Sequence, residues 1–204
     1  QVSLLRGVAG TGKTWVMSQA ADCMRQRGIP VVAIAPTAKA AHDVLRESGF
    51  PDAETVASFL LREDLQERAK GGVVWVDEAG LLGMKDLGLV LQAASKVGAR
   101  VYLSGDYRQH SSVARGDALR VLEDIAGLPA ATLLDIRRQT GSYRAAVKSL
   151  SEGRMVEGFG KLDKLGSIQE VPDELERYAK VAKVFVEAEK ARRSTIAICP
   201  THAE

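Results

Sequence analysis

Gly7-Val8-Ala9-Gly10-Thr11-Gly12-Lys13-Thr14 decides the fold. It fills the pattern GxxxxGK(S/T), with an apolar run at residues 2–5 before it and a helical pattern over 13–28 after it. Strand, glycine-rich turn and helix is the context in which this pattern cradles phosphates. The glycines let backbone N–H groups converge on the anion, and the helix that follows presents its positive end. Gly7, Ala9, Gly10, Thr11, Gly12, Lys13 and Thr14 are therefore the expected nucleotide-binding residues. Lys13 is expected to reach the β and γ phosphates, and the Thr14 hydroxyl suits Mg²⁺. A plain glycine-rich turn has no need of Lys and Thr at those two positions.

Outward from this loop, short apolar runs recur at 31–35, 73–76, 101–103 and 132–134, with helical patterns over 38–49, 85–98 and 116–126 between them. Continuous and β-branched runs predict strands covered on both faces, hence a parallel α/β sheet flanked by helices. Beyond Arg138 the pattern loosens, to expected helices at 142–152 and 172–192 and expected strands at 167–171 and 194–199. Trp75 lies inside an apolar run and reads as core, and Trp15 is given the same reading. Phe59 and Tyr107 read as packing residues.

The run at 73–76 delivers Asp77 and Glu78 to the carboxyl edge of the sheet, where open α/β sheets hold their ligands. Asp77 fits a Mg²⁺ ligand, and Glu78 fits the general base that activates a water. An acidic pair at a helix start is also a common cap, so the phosphate loop is what raises its significance. The neighbouring strand ends in Ser104-Gly105-Asp106-Tyr107-Arg108-Gln109, and the Gln109 amide could orient water or report on the γ phosphate. An ordinary polar loop is the plain alternative.

The chain has 204 residues, 46% hydrophobic and 26% charged, as in an ordinary globular protein. Its formal net charge of +2 carries no polybasic signal, so any nucleic-acid site must be local. Cys23 and Cys199 stand far apart without zinc-like spacing, and His42, His110 and His202 are isolated. No run of eighteen apolar residues is present, so no membrane partner is expected and a reducing cytoplasm is the expected setting. Gln1 opens directly onto an apolar run without an initiator Met, which reads as a piece of a longer chain.

Taken in order, GVAGTGKT (7–14), APTAKAA (35–41), TVASFL (55–60), VDEAGLL (76–82), LSGDYRQ (103–109) and DIRRQ (135–139) resemble the successive motifs of superfamily-one DNA helicases. The stretch GDYRQHSSVARGDALRVLE (105–123) resembles in particular the helicase part of bacterial conjugative relaxase-helicases. That resemblance implies a first RecA-like, ATP-binding domain over residues 1–140. Residues 141–204 would hold connecting helices and the truncated start of a second such domain. It implies ATP and Mg²⁺ as cofactors, with single-stranded DNA and the remainder of a parent helicase chain as partners. ATP hydrolysis would be coupled to movement along the strand, in the 5′ to 3′ direction.

Carried over position by position, Lys13, Glu78 and Gln109 are catalytic, and Arg138 is the arginine finger, with Arg137 the weaker candidate. Pro36, Thr37, Lys39, Thr55 and Ser58 match the strand-contacting segments, although related helicases are expected to carry His where Ser58 stands. Helix capping is the plain alternative for the hydroxyls. The adenine-recognition motif of such helicases would lie before residue 1. A nucleotide- and DNA-binding module without useful hydrolysis of its own remains open. A small-molecule kinase or GTPase would share the phosphate loop but leave APTAKAA and GDYRQ unexplained.

Overall fold

Val73–Val76 is buried at every position, and its residues alternate between two cores, Val74 and Val76 on one face and Val73 and Trp75 on the other. Val31–Ala35 divides in the same way, with Val32 and Ile34 on one face and Ala33 and Ala35 on the other. A strand packed on both faces has no polar side to show, which is why these runs read as uninterrupted apolar sequence. Each Val or Ile fully buried contributes roughly 1.5–3 kcal/mol.

The computed structural model describes residues 1–8, 10–107, 116–135, 137 and 141–198. Ala9, Gln109, His110, Arg138, Cys199 and His202 lie outside the described residues. The elements are β1 (Val2–Gly7), α1 (Lys13–Arg25), β2 (Val31–Ala35), a π-helical segment (Lys39–Leu45), β3 (Glu54–Thr55), α2 (Val56–Leu61) and α3 (Glu63–Arg68). Then come β4 (Val73–Val76), a 3₁₀ turn (Ala79–Leu81), α4 (Met84–Lys96) and β5 (Arg100–Gly105). A single turn, α5 (Ala118–Arg120), continues as π-helix through Val121–Ile125 and leads to β6 (Ala130–Leu133). Three helices follow: α6 (Gly141–Ser151), α7 (Met155–Lys164) and α8 (Glu174–Lys190).

The six strands form one sheet in the order β3-β2-β4-β5-β1-β6, with every pair parallel. The expected α/β fold is therefore present. β1 sits between β5 and β6, so the chain leaves it on one side for β2 and returns on the other for β6. This reversal is the topological switch point at which such sheets bind ligands. α1 and the π-helical segment cover one face through Met17, Ala21, Ala40, Ala41 and Leu45. The other face packs against Phe59, Leu65, Leu87, Val90 and Leu119.

Several expectations are corrected. No strand forms at 167–171 or over the described part of 194–199, and Ile196 and Ile198 stay about four-fifths exposed, at 78% and 82%. An extended segment needs a neighbouring strand to take its backbone hydrogen bonds, and none pairs with these segments among the described residues. β3, α2, α3 and α7 are additional elements. β6 starts two residues before the expected 132–134 and lies at the sheet edge, so its side chains are exposed or only partly buried. Trp15 is 60% exposed and not core, because α1 buries the stripe of Met17 and Ala21, and residue 15 lies off it. Trp75 is buried as expected, with an edge-on contact to the Tyr102 ring at 5.2 Å, and Phe59 is wholly buried. Among the described residues, no helix is long and apolar enough to cross a membrane.

Candidate nucleotide-binding site

The carboxyl edge of the sheet carries the charged and polar groups that the sequence singles out. β1 ends at Gly7, and the loop that follows hands the chain to α1 at Lys13. Gly12, at the start of that helix, has φ 85°, a left-handed conformation that costs a side-chain-bearing residue about 1–2 kcal/mol. Among the described residues Gly12 makes no side-chain cap to α1, and a helix start of this kind presents backbone N–H groups suited to an anion. The loop is braced from within: the Thr11 N–H and hydroxyl both donate to the Val8 carbonyl, at 3.3 and 2.9 Å, and Thr11 is buried. Lys13 folds its ammonium back onto the carbonyl of Gly7, with that of Val8 at 3.4 Å.

Two strands away, β4 presents the acidic pair. The Asp77 N–H donates to the Ile34 carbonyl at 2.9 Å, which continues the β2–β4 ladder one step past Val76. Asp77 is buried, and its Oδ1 accepts the Ser104 hydroxyl at 2.7 Å. Glu78 is exposed and adopts φ 52°, ψ 37°. A non-glycine residue held there signals a constraint of the kind that collects at functional sites. The twist points successive carboxylates in different directions, one into the protein and one outward. Between the two strands, Gly105 ends β5 where a Cβ would lie 3.1 Å from the Gly80 N–H nitrogen, so a side chain there would press the two turns apart by a few tenths of an ångström.

These groups converge on one cavity of about 500 Å³, lined by Gly10, Gly12, Lys13, Thr14, Asp77, Glu78, Gly105 and Asp106 among others. Of the expected catalytic and metal-binding residues, Lys13, Thr14, Asp77 and Glu78 are thus brought together. Gln109 and Arg138 lie outside the described residues. Arg137, the weaker arginine candidate, is tied to the loop, since its N–H donates to the Gly10 carbonyl at 2.7 Å.

A second cavity, of about 610 Å³, adjoins on the β6 side and is lined by Thr11, Gly12, Trp15, Val16, Leu134 and Arg137 among others. Trp15 borders both cavities. Its exposed indole offers a flat apolar face to both, so Trp15 lines the candidate site although its type suggests core. Ser104, bonded to Asp77 from the neighbouring strand, has no motif to mark it.

The residues expected to touch DNA lie along the same edge, at the far end of the sheet. Pro36, Thr37 and Lys39 follow β2, and Thr55 ends β3, in register with Ala35. Both threonines are helix caps: Thr37 Oγ1 accepts the Ala40 N–H at 3.2 Å and Thr55 Oγ1 accepts the Ser58 N–H at 3.0 Å. Capping uses a lone pair and leaves each hydroxyl proton free for another acceptor. Thr37 and Lys39 are exposed, while Pro36, Thr55 and Ser58 are half-buried.

A parallel sheet with a phosphate loop on an inner strand and an acidic pair two strands away defines a P-loop NTPase. The chain belongs to the AAA-domain family, whose sequence profile matches residues 1–173. It is 32% identical over 129 residues to the probable conjugal transfer protein TraA of Sinorhizobium fredii, covering 62% of this chain and 12% of that protein. It is 31% identical over 158 residues to the multifunctional conjugation protein TraI of Escherichia coli, covering 72% of this chain and 9% of that protein. Over 142 residues it is 35% identical to the ATP-dependent RecD2 DNA helicase of Deinococcus radiodurans, covering 67% of this chain and 19% of that protein. The chain therefore spans between 9% and 19% of the length of these relatives. The resemblance to superfamily-one helicases and conjugation proteins stands, and the chain is a helicase-like AAA domain.

Proposed function

We propose that this domain binds Mg·ATP at the phosphate loop and hydrolyses it in step with movement along single-stranded DNA, as part of a conjugative relaxase-helicase. The observation that carries the reading is the shared cavity: a lysine and a hydroxyl from one strand end face two carboxylates from another.

The residues divide the work by chemistry. Backbone N–H groups of Gly10, Gly12, Lys13 and Thr14 and the Lys13 ammonium hold the phosphates, a stronger partner for that ammonium than the loop carbonyls it touches. Thr14 and Asp77 would hold Mg²⁺, which when bound neutralises charge developing on the phosphates. Their donor set, a hydroxyl and a carboxylate lining the same cavity, suits a hard, oxygen-seeking ion. Glu78, exposed on its left-handed turn, takes the proton of the attacking water. The resemblance gives Gln109 the γ phosphate and Arg138 the transition-state charge. Trp15 supplies a face on which a base can stack, with Leu134 and Arg137 beside it.

At the other end of the edge, Thr37 and Thr55 can donate their free hydroxyl protons, and Lys39 its charge, to the DNA backbone without reading sequence. Residues 1–140 form the first RecA-like domain. Residues 141–204 form the connecting helices α6 and α7 and, with α8, the opening of a second domain, and the remainder of the parent chain completes the motor. The setting is the cytoplasm.

DNA binding is testable by fluorescence anisotropy with a labelled single strand at several salt concentrations. Binding is expected to be weak and indifferent to sequence, and log affinity should fall linearly with log salt, by roughly 0.7 per phosphate neutralised on a single strand. Affinity that does not change with salt would remove the phosphate-contact model.

A further inference from the structure

Ser104 is wholly buried at the end of β5, where a hydroxyl is costly unless it is fully bonded. It has one proton to give and two acceptors in reach, Asp77 Oδ1 at 2.7 Å and the Val76 carbonyl at 3.3 Å. The charged and closer acceptor wins. On its other side the hydroxyl oxygen accepts the Trp75 indole N–H at 3.3 Å. That donor fills a lone pair of Oγ, which turns the proton toward the carboxylate and strengthens its bond. Trp75 is itself fixed by burial and by the edge contact with Tyr102, so the chain Trp75–Ser104–Asp77 runs from the core to the rim of the nucleotide cavity.

We propose that Ser104 is a positioning residue for the acidic pair: it pins one oxygen of Asp77 and so aims the carboxylate at the cation of Mg·ATP. The inference rests on the reading of Asp77 as a Mg²⁺ ligand. A carboxylate at a strand end can rotate about two side-chain bonds. One short bond from a rigid neighbouring strand restricts that rotation, and the β4–β5 pairing that stops at Val76 and Leu103 brings the partner alongside. Groups that hydrogen-bond to a metal ligand commonly change metal affinity by about 10- to 100-fold when removed.

The test is the Mg²⁺ concentration at which a fluorescent ATP analogue becomes tightly bound, measured on the protein and on Ser104→Ala, with thermal unfolding recorded without nucleotide or Mg²⁺. The half-saturating Mg²⁺ concentration should rise about 10- to 100-fold in Ser104→Ala, with Mg²⁺-free nucleotide affinity unchanged. Ser104→Thr, which keeps the hydroxyl, should restore the original value. Ser104→Cys keeps the volume but donates weakly, so it should reproduce the shift even if the alanine variant does not fold. A folded Ser104→Ala or Ser104→Cys with the original Mg²⁺ dependence overturns the proposal. Asp77→Asn separates the two levels: a large shift there with none at Ser104 sinks only the positioning role. No shift in Asp77→Asn sinks the reading of Asp77 and this proposal with it.

Discussion

Lys13→Ala should weaken Mg·ATP binding by roughly 10²- to 10⁴-fold in a protein that still folds. In the proposed complex the ammonium would face two phosphates, and a hydrogen bond to a charged group contributes about 1.5–3 kcal/mol, so losing both would cost about 3–6 kcal/mol, at about 1.4 kcal/mol per tenfold in affinity. Folding should survive because Lys13 is only half-buried, and its ammonium bonds the carbonyls of Gly7 and Val8 in the loop itself. Isothermal titration with a non-hydrolysable analogue reads the weakened binding directly. Equal affinity in the variant and the parent would take the nucleotide away from this loop.

Glu78→Gln should separate binding from turnover. The amide keeps the size and the left-handed backbone of Glu78 but cannot accept the proton of water, and a positioned general base contributes about 10²- to 10⁴-fold. Turnover should fall by about that factor, while nucleotide affinity and unfolding temperature remain those of the parent. Asp77 differs in kind: it is buried and bonded to Ser104, so replacing it disturbs structure as well as the proposed metal site. An unchanged hydrolysis rate in Glu78→Gln would assign the base to another group.

What is legible in the sequence, and what is not, follows from how each signal arises. The phosphate loop and the strands at 31–35 and 73–76 are readable because their constraint is local: glycines for a turn, unbroken apolar residues for a strand buried on both faces. The acidic pair is placed for the same reason, at the end of such a strand. Its division into a buried Asp77 and an outward Glu78 is not readable, because the left-handed turn at Glu78 has no sequence mark. Ser104 is hidden because the apolar run stops at Leu103, although β5 continues to Gly105 and buries the hydroxyl against the next strand.

Trp15 is misleading by residue type. The four-residue spacing of Met17 and Ala21 sets the buried stripe of α1, and residue 15 falls outside it. Thr37 and Thr55 cap helices, the plain alternative for such hydroxyls, which leaves their part in DNA contact a matter of one hydroxyl proton each. The segments at 167–171 and 194–198 show the limit of pattern reading. Apolar periodicity states that a segment can pair, but a strand exists only where a neighbour meets it.

The central claim, that one sheet edge joins an ATP site around Lys13 to a DNA site around Thr37 and Thr55, is tested most directly by steady-state ATP hydrolysis at saturating Mg·ATP. The rate is measured with and without single-stranded DNA, on the parent chain that contains this domain and on its Lys13→Ala variant. The account predicts hydrolysis that rises several-fold on adding DNA and disappears in the Lys13→Ala protein under both conditions. A rate that is the same with and without DNA, or that survives the removal of the Lys13 side chain, would contradict it.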